Sequence, residues 1–198
     1  RIEDINGDEH LDIYVANNFG QQNKLCINHG TGTFTAQDIS GDTGNSVGSS
    51  IADLNGDGHL DIYVTNLGTQ NKLWINDGAA TPTFNVQDIL GDTGNSGGVS
   101  IADVNGDGHL DIYVANFNQQ NRLWINGGTG IFTAQDITGD LGRSFGSSIG
   151  DVNGDGHLDI YVANGSGEQN RLWINSGTGT FTAQDISGDT GDSRGANI

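Results

Sequence analysis

Sixteen aspartate and asparagine residues recur in four nine-residue runs whose spacing suits a hard cation. One run reads Asp53-Leu54-Asn55-Gly56-Asp57-Gly58-His59-Leu60-Asp61. Oxygen-bearing side chains stand at positions 1, 3, 5 and 9, and position 7 can add its carbonyl. Calcium takes roughly six to eight oxygen ligands at about 2.3–2.6 Å, so a short loop wraps it only by turning alternate residues inward. The candidate ligands are Asp4, Asn6, Asp8, His10 and Asp12; Asp53, Asn55, Asp57, His59 and Asp61; Asp103, Asn105, Asp107, His109 and Asp111; and Asp151, Asn153, Asp155, His157 and Asp159. Each His is expected to contribute its backbone carbonyl and to leave its imidazole in solvent. The expected cofactor is Ca²⁺, about one ion per repeat and four in all. Magnesium suits the loops less, because it favours rigid octahedral sites and keeps its water.

Asp, Asn and Gly can also form such a turn through local hydrogen bonds alone. Three carboxylates within nine residues, repeated four times, favour the cation, since like charges held close together resist ionisation. The run is not an EF-hand. Position 12 is Val64 rather than a bidentate Glu, and no helical pattern follows. Position 9 supplies the last carboxylate from within a strand, so the ion would staple a strand–loop–strand corner. Gly58 at position 6 reaches positive φ without strain, and Gly56 at position 4 loosens the loop further. The first run has Glu9 where the others have Gly58, Gly108 and Gly156, and it is expected to be the weakest site.

Strands must position these loops. The loop recurs at intervals of 49, 50 and 48 residues. Each copy is followed by Leu-Asp-Ile-Tyr-Val, then Asn-Lys/Arg-Leu-Trp-Ile-Asn, a Gly-rich turn, a Phe-x-x-Gln-Asp-Ile segment and a Gly-Asp turn. Cys26 replaces the Trp in the first copy. Short β-branched and aromatic runs bounded by Gly, Asn and Asp read as four strands per copy, with no sustained helical period. A period near 49 with four strands matches a β-propeller blade. Bulky residues on both faces of Leu60–Val64 suit a sheet packed between two neighbours. The expected fold is therefore all-β, a single repeat domain over 1–198. Its units are 1–47, 48–97, 98–145 and 146–192, with 193–198 a closing strand. The four blades either close a four-bladed ring or form part of a larger one completed between chains.

The Asp-x-Asn-Gly-Asp-Gly-x-x-Asp loop, preceded by Phe145-Gly146-Ser147-Ser148-Ile149 and followed by Leu-Asp-Ile-Tyr-Val, resembles the FG-GAP/VCBS repeat over essentially the whole chain. That family includes the propeller of integrin α subunits, cartilage acidic protein and many secreted bacterial proteins. The resemblance implies calcium-binding blades, usually seven to a ring, and a related fungal lectin binds sugars between such blades.

Other residues have plainer readings. Trp74, Trp124 and Trp173 are expected to pack between blades, with a sugar-stacking platform as the alternative. Asp38/Asp42, Asp88/Asp92, Asp136/Asp140 and Asp185/Asp189 form a second acidic series that caps turns or holds cations at the rim. Asn164-Gly165-Ser166 is the single glycosylation sequon, and it reads as a chance occurrence. No nucleophile has a paired base, and catalysis needs asymmetric groups that near-identical repeats do not offer, so no enzyme is expected.

Composition narrows the function further. A net charge of −18, from 25 acids against seven bases, argues against nucleic acid and anionic lipid as partners. Twelve of the 25 acids are loop carboxylates, so four Ca²⁺ would bring the charge to −10. No apolar run approaches the ~20 residues of a membrane span. The chain begins without Met and reads as a mature or excised segment, and its single Cys26 allows no internal disulfide. Loops with dissociation constants of about 10⁻⁴–10⁻³ M would fill outside the cell and stay largely empty in the cytosol. The expected role is a secreted structural or adhesive module, with a calcium-stabilised lectin as the alternative and a protein or glycan as ligand. Residues 193–198 align with 46–51, and Arg1–Asp4 with Ser50–Asp53. That overlap suggests a homo-oligomer or fibre formed by terminal-strand pairing.

Overall fold

The protein is described by a computed structural model over residues 1–195. Among these residues every regular element is a strand. Repeat 1 contains β1 (Ile2–Glu3), β2 (Asp12–Val15), β3 (Gln21–Gln22), β4 (Lys24–Asn28), β5 (Phe34–Gln37) and β6 (Thr43–Gly44). Repeat 2 contains β7 (Ser46–Ala52), β8 (Asp61–Gln70), β9 (Lys72–Asn76) and β10 (Phe84–Gln87). Repeat 3 follows with β11 (Thr93–Ala102), β12 (Asp111–Gln120), β13 (Arg122–Asn126) and β14 (Phe132–Ala134). Repeat 4 has β15 (Leu141–Gly150), β16 (Asp159–Asn164), β17 (Arg171–Asn175) and β18 (Phe181–Gln184).

Within each repeat four strands pair antiparallel in chain order, so that Ile62 faces both Ile51 and Trp74. Several strands run to ten residues because they serve two repeats. The first part of β11 pairs with the end of β8, through Thr93 and Gln70, and the second part pairs with β12, through Ile101 and Ile112. β15 is shared in the same way between repeats 3 and 4. This sharing fuses repeats 2 to 4 into one twelve-stranded sheet, while repeat 1 keeps its own four strands and the small β3–β6 ladder. The unit boundaries at 47/48, 97/98 and 145/146 therefore fall inside strands.

Packing explains why the strand after each loop is apolar on both faces. Asp61 to Asn66 are all buried. Ile62 and Val64 join Trp74 in a core shared with Ile5, Tyr14, Leu25 and Ile39 of repeat 1. From the other face, Tyr63 and Leu73 join Leu54 and Ile89 against Ile112, Val114 and Trp124 of repeat 3. The third core, between repeats 3 and 4, is built alike. Each fully buried Leu, Ile or Val contributes about 1.5–3 kcal/mol, so most of the stability lies between sheets.

The leading strands meet backbone to backbone at glycines. A Cβ on Gly98 would lie 2.8 Å from the Gly146 Cα, and one on Gly48 would lie 2.9 Å from the Gly97 carbonyl. Among the described residues the sheets of repeats 1 and 4 are not joined, so the chain does not close a four-bladed ring. Among the described residues the three cores join repeats 1 to 2, 2 to 3 and 3 to 4, and none joins repeat 4 to repeat 1. Ser193 begins the next strand position, its N–H donating to the Asn164 carbonyl at 3.1 Å and its hydroxyl accepting from Asn170 at 3.1 Å. Residues 193–195 of the expected closing strand form no regular strand, and 196–198 lie outside the described residues.

Candidate functional site

The four Asp/Asn loops fold alike, which follows from where their carboxylates point. In repeat 2, Asp53 Oδ1 accepts from the N–H groups of Gly56 at 2.7 Å and Asp57 at 3.2 Å, and its Oδ2 accepts from Gly58 at 2.8 Å. Asn55 Oδ1 accepts from Asp57 N–H at 3.0 Å, and Asp57 Oδ1 accepts from His59 N–H at 2.9 Å. The first carboxylate thus collects the amides of a turn whose other members are Asn55 and Asp57. Both loop glycines hold positive φ, 79° at Gly56 and 88° at Gly58. Position 4 therefore requires glycine for its backbone and is not merely a loosening residue. Glu9 adopts φ 69° at position 6 of the first loop, a left-handed conformation that costs a non-glycine residue about 1 kcal/mol.

The ninth residue stands apart. Asp61 is fully buried at the start of β8, where its Oδ2 accepts from Leu54 N–H and its Oδ1 from Asn76 N–H, both at 2.9 Å. It ties the loop to its own strand and to the neighbouring strand. Burial pushes its pKa up to about 6, the two N–H donors oppose that, and the charges of Asp57 and Asp53 add to it. Asp111 is likewise held at about 6, with Asp107 and Asp103 adding to the effect of burial. Asp107 moves the other way, because the Asn105 amide and His109 N–H stabilise its charged form.

The side-chain donors are all hard oxygens, which fits calcium or another hard cation rather than a soft metal. Among the described residues no three His, Cys, Asp or Glu side chains are drawn together as a metal cluster. An ion in these loops would draw on the Asn side-chain oxygen and a backbone carbonyl as well as the carboxylates.

The imidazoles of His10, His59, His109 and His157 remain exposed but do not extend freely into solvent. Each lies over a turn glycine, and a Cβ on Gly78 would stand 2.2 Å from His59 Nε2. The indoles of Trp74, Trp124 and Trp173 are 3%, 3% and 4% exposed, so they pack between sheets and offer no sugar-stacking face. Asn164 of the sequon is buried, its amide donating to the Gln169 carbonyl.

The second acidic series divides in two. Asp38, Asp88, Asp136 and Asp185 make surface ion pairs with Lys24, Lys72, Arg122 and Arg171. Asp42, Asp92 and Asp140 are buried instead. Asp92 accepts from the Tyr63 hydroxyl, from Asn71 at 2.8 Å and, across the repeat boundary, from the Trp124 indole at 3.2 Å. Burial raises the Asp92 carboxyl above its usual range, and burial together with the Asp92 charge raises the Tyr63 phenol well above its own. Trp173 reaches Asp140 in the same manner. Trp74 makes no hydrogen bond within normal geometry, although it stands near enough to Asp42 to favour its ionised form. This Tyr–Asp–Asn–Ser network was missed from sequence. Its signal was the recurrence of Asp and Ser four residues apart in every copy, at Asp42/Ser46, Asp92/Ser96, Asp140/Ser144 and Asp189/Ser193.

Fold and loops together define an all-β array of stacked, strand-sharing repeats, each with one oxygen-rich corner. The FG-GAP-like repeat model matches four times, over residues 4–64, 53–114, 103–162 and 151–198, each match opening on the first Asp of a loop. The chain belongs to the FG-GAP-like repeat family. No curated protein matches it. Among solved structures it is similar to the V. cholerae biofilm matrix protein Bap1, with 19% identity and a TM-score of 0.51 over 95% of this chain. The match spans 30% of that protein, so the likeness is one of fold.

Proposed function

We propose that the chain is an extracellular structural or adhesive module whose stacked sheets are rigidified by calcium, a binding scaffold rather than a catalyst. The observation that carries this reading is the fourfold recurrence of one loop, each ending in an Asp buried between the loop and the next strand. In repeat 2 the side chains of Asp53, Asn55, Asp57 and Asp61 and the His59 carbonyl would hold the ion, with the equivalent residues in the other repeats. A bound cation supplies the positive charge that the buried Asp61 otherwise lacks. The extracellular setting is supported by family membership, by likeness to a biofilm matrix protein and by the millimolar calcium that such loops need. The sheets read as propeller blades in a ring wider than this chain, supported by the close glycine contacts of their leading strands.

Circular-dichroism melting in about 1 mM calcium and in excess EDTA tests the reading. Four sites that bind only the folded chain should raise Tm by about 10 °C. Identical melting curves would remove calcium from the account.

A further inference from the structure

We infer that neighbouring loops are coupled, with Asn76, Asn126 and Asn175 as the positioning residues that make cation binding cooperative along the array. This rests on the calcium reading above.

Asn126, at the end of β13, touches two loops at once. Its N–H donates to Asp111 Oδ1 at 2.8 Å, and its side-chain amide donates to the Leu110 carbonyl at 3.1 Å, both in the loop of its own repeat. The same amide donates to the Leu54 carbonyl at 2.8 Å, in the loop of the preceding repeat. Gly128 N–H fixes the other end of the amide at 3.0 Å. Leu54 in turn donates its N–H to Asp61. The last carboxylates of two loops are thus joined by one leucine and one asparagine.

Asp61, Leu54, Asn126 and Asp111 are all buried. A buried amide left unpaired is penalised, and a movement at Asp111 is therefore passed on to Asp61. The two loops also share a cavity of about 240 Å³, lined by Asp53, Asn55, Gly108, His109, Asn126 and Gly128. A Cβ on Gly130 would stand 3.3 Å from the Asn55 Cβ, so the downstream turn packs on the upstream loop.

The bridge recurs. Asn76 donates to Ile5 O at 3.0 Å and Leu60 O at 3.1 Å, and its N–H holds Asp61. Asn175 donates to Val104 O at 2.6 Å and Leu158 O at 3.0 Å, and its N–H holds Asp159. Among the described residues no such amide reaches the loop of repeat 4, and there Val152 is 42% exposed where Leu54 is 0%. Of the three loops with glycine at position 6, this one should fill last.

A calcium titration followed by NMR at the amides of Gly58, Gly108 and Gly156 reads each loop separately. In the unmodified chain Gly58 and Gly108 should move together with a Hill slope above 1. Asn126→Ala should separate the two midpoints and raise the Gly58 midpoint at least ~5-fold. A purely structural role would lower Tm without changing the slope. Asp107→Asn, which disables the loop of repeat 3 outside the bridge, should weaken the Gly58 loop by a similar factor and decides the matter if Asn126→Ala does not fold. Independent transitions, with the Gly58 midpoint unmoved by either substitution, would overturn the coupling while leaving calcium binding intact. No calcium-dependent shift in any loop would overturn both.

Discussion

Asp88 and Asp92 stand four residues apart in one turn, the first paired with Lys72 in solvent and the second buried beneath Tyr63. Exposed ion pairs are screened and contribute about 0–1 kcal/mol. Removing a buried acceptor leaves its donors unpaired at about 1–3 kcal/mol each, and Asp92 serves Tyr63, Asn71 and Trp124. Urea unfolding should therefore show Asp92→Ala losing more than ~3 kcal/mol and Asp88→Ala less than ~1 kcal/mol. Equal losses would mean that the network does not hold the turn.

At the scale of the strand, close approach rather than turn geometry fixes the glycines of β11 and β15. Gly98 stands 2.8 Å, measured from a built Cβ, from backbone that no rotamer can move aside. Gly98→Ala should lose more than ~2 kcal/mol, since overpacking a fitted contact typically costs about 1–3 kcal/mol. Gly127 serves as the control, because its nearest contact is an ordinary 3.6 Å from the Ile131 carbonyl. Gly127→Ala should change urea stability by less than ~0.5 kcal/mol. A tolerated Gly98→Ala would mean that the leading strands stand farther apart.

Across the whole molecule the leading strands are unevenly supplied. β1 has two residues where β11 and β15 have ten, and its pairing with β2 extends to Tyr14 through the Arg1 backbone. Exposed strand edges in a repeat array can pair with a second copy. Light scattering at micromolar concentration with calcium tests such pairing, which would give a mass above the 20.7 kDa of one chain. A monomeric mass would exclude completion between copies.

The sequence by itself determined the repeat, the four strands in each copy, the recurring Asp/Asn loop and the two-faced burial of the strand after each loop. These follow from periodicity and from residue types that act locally: glycine at positive φ, and alternating oxygens in a turn. Tertiary structure decided what depends on contacts between copies. Asp42, Asp92 and Asp140 differ from Asp38, Asp88 and Asp136 only in which sheet covers them, and Trp124 finds its acceptor in another repeat. Asn126 looks like any strand-end asparagine until Leu54 of the preceding repeat stands 2.8 Å away. Repetition writes each unit plainly in the chain, but whether those units share strands, stack or close depends on how one twisted sheet seats against the next.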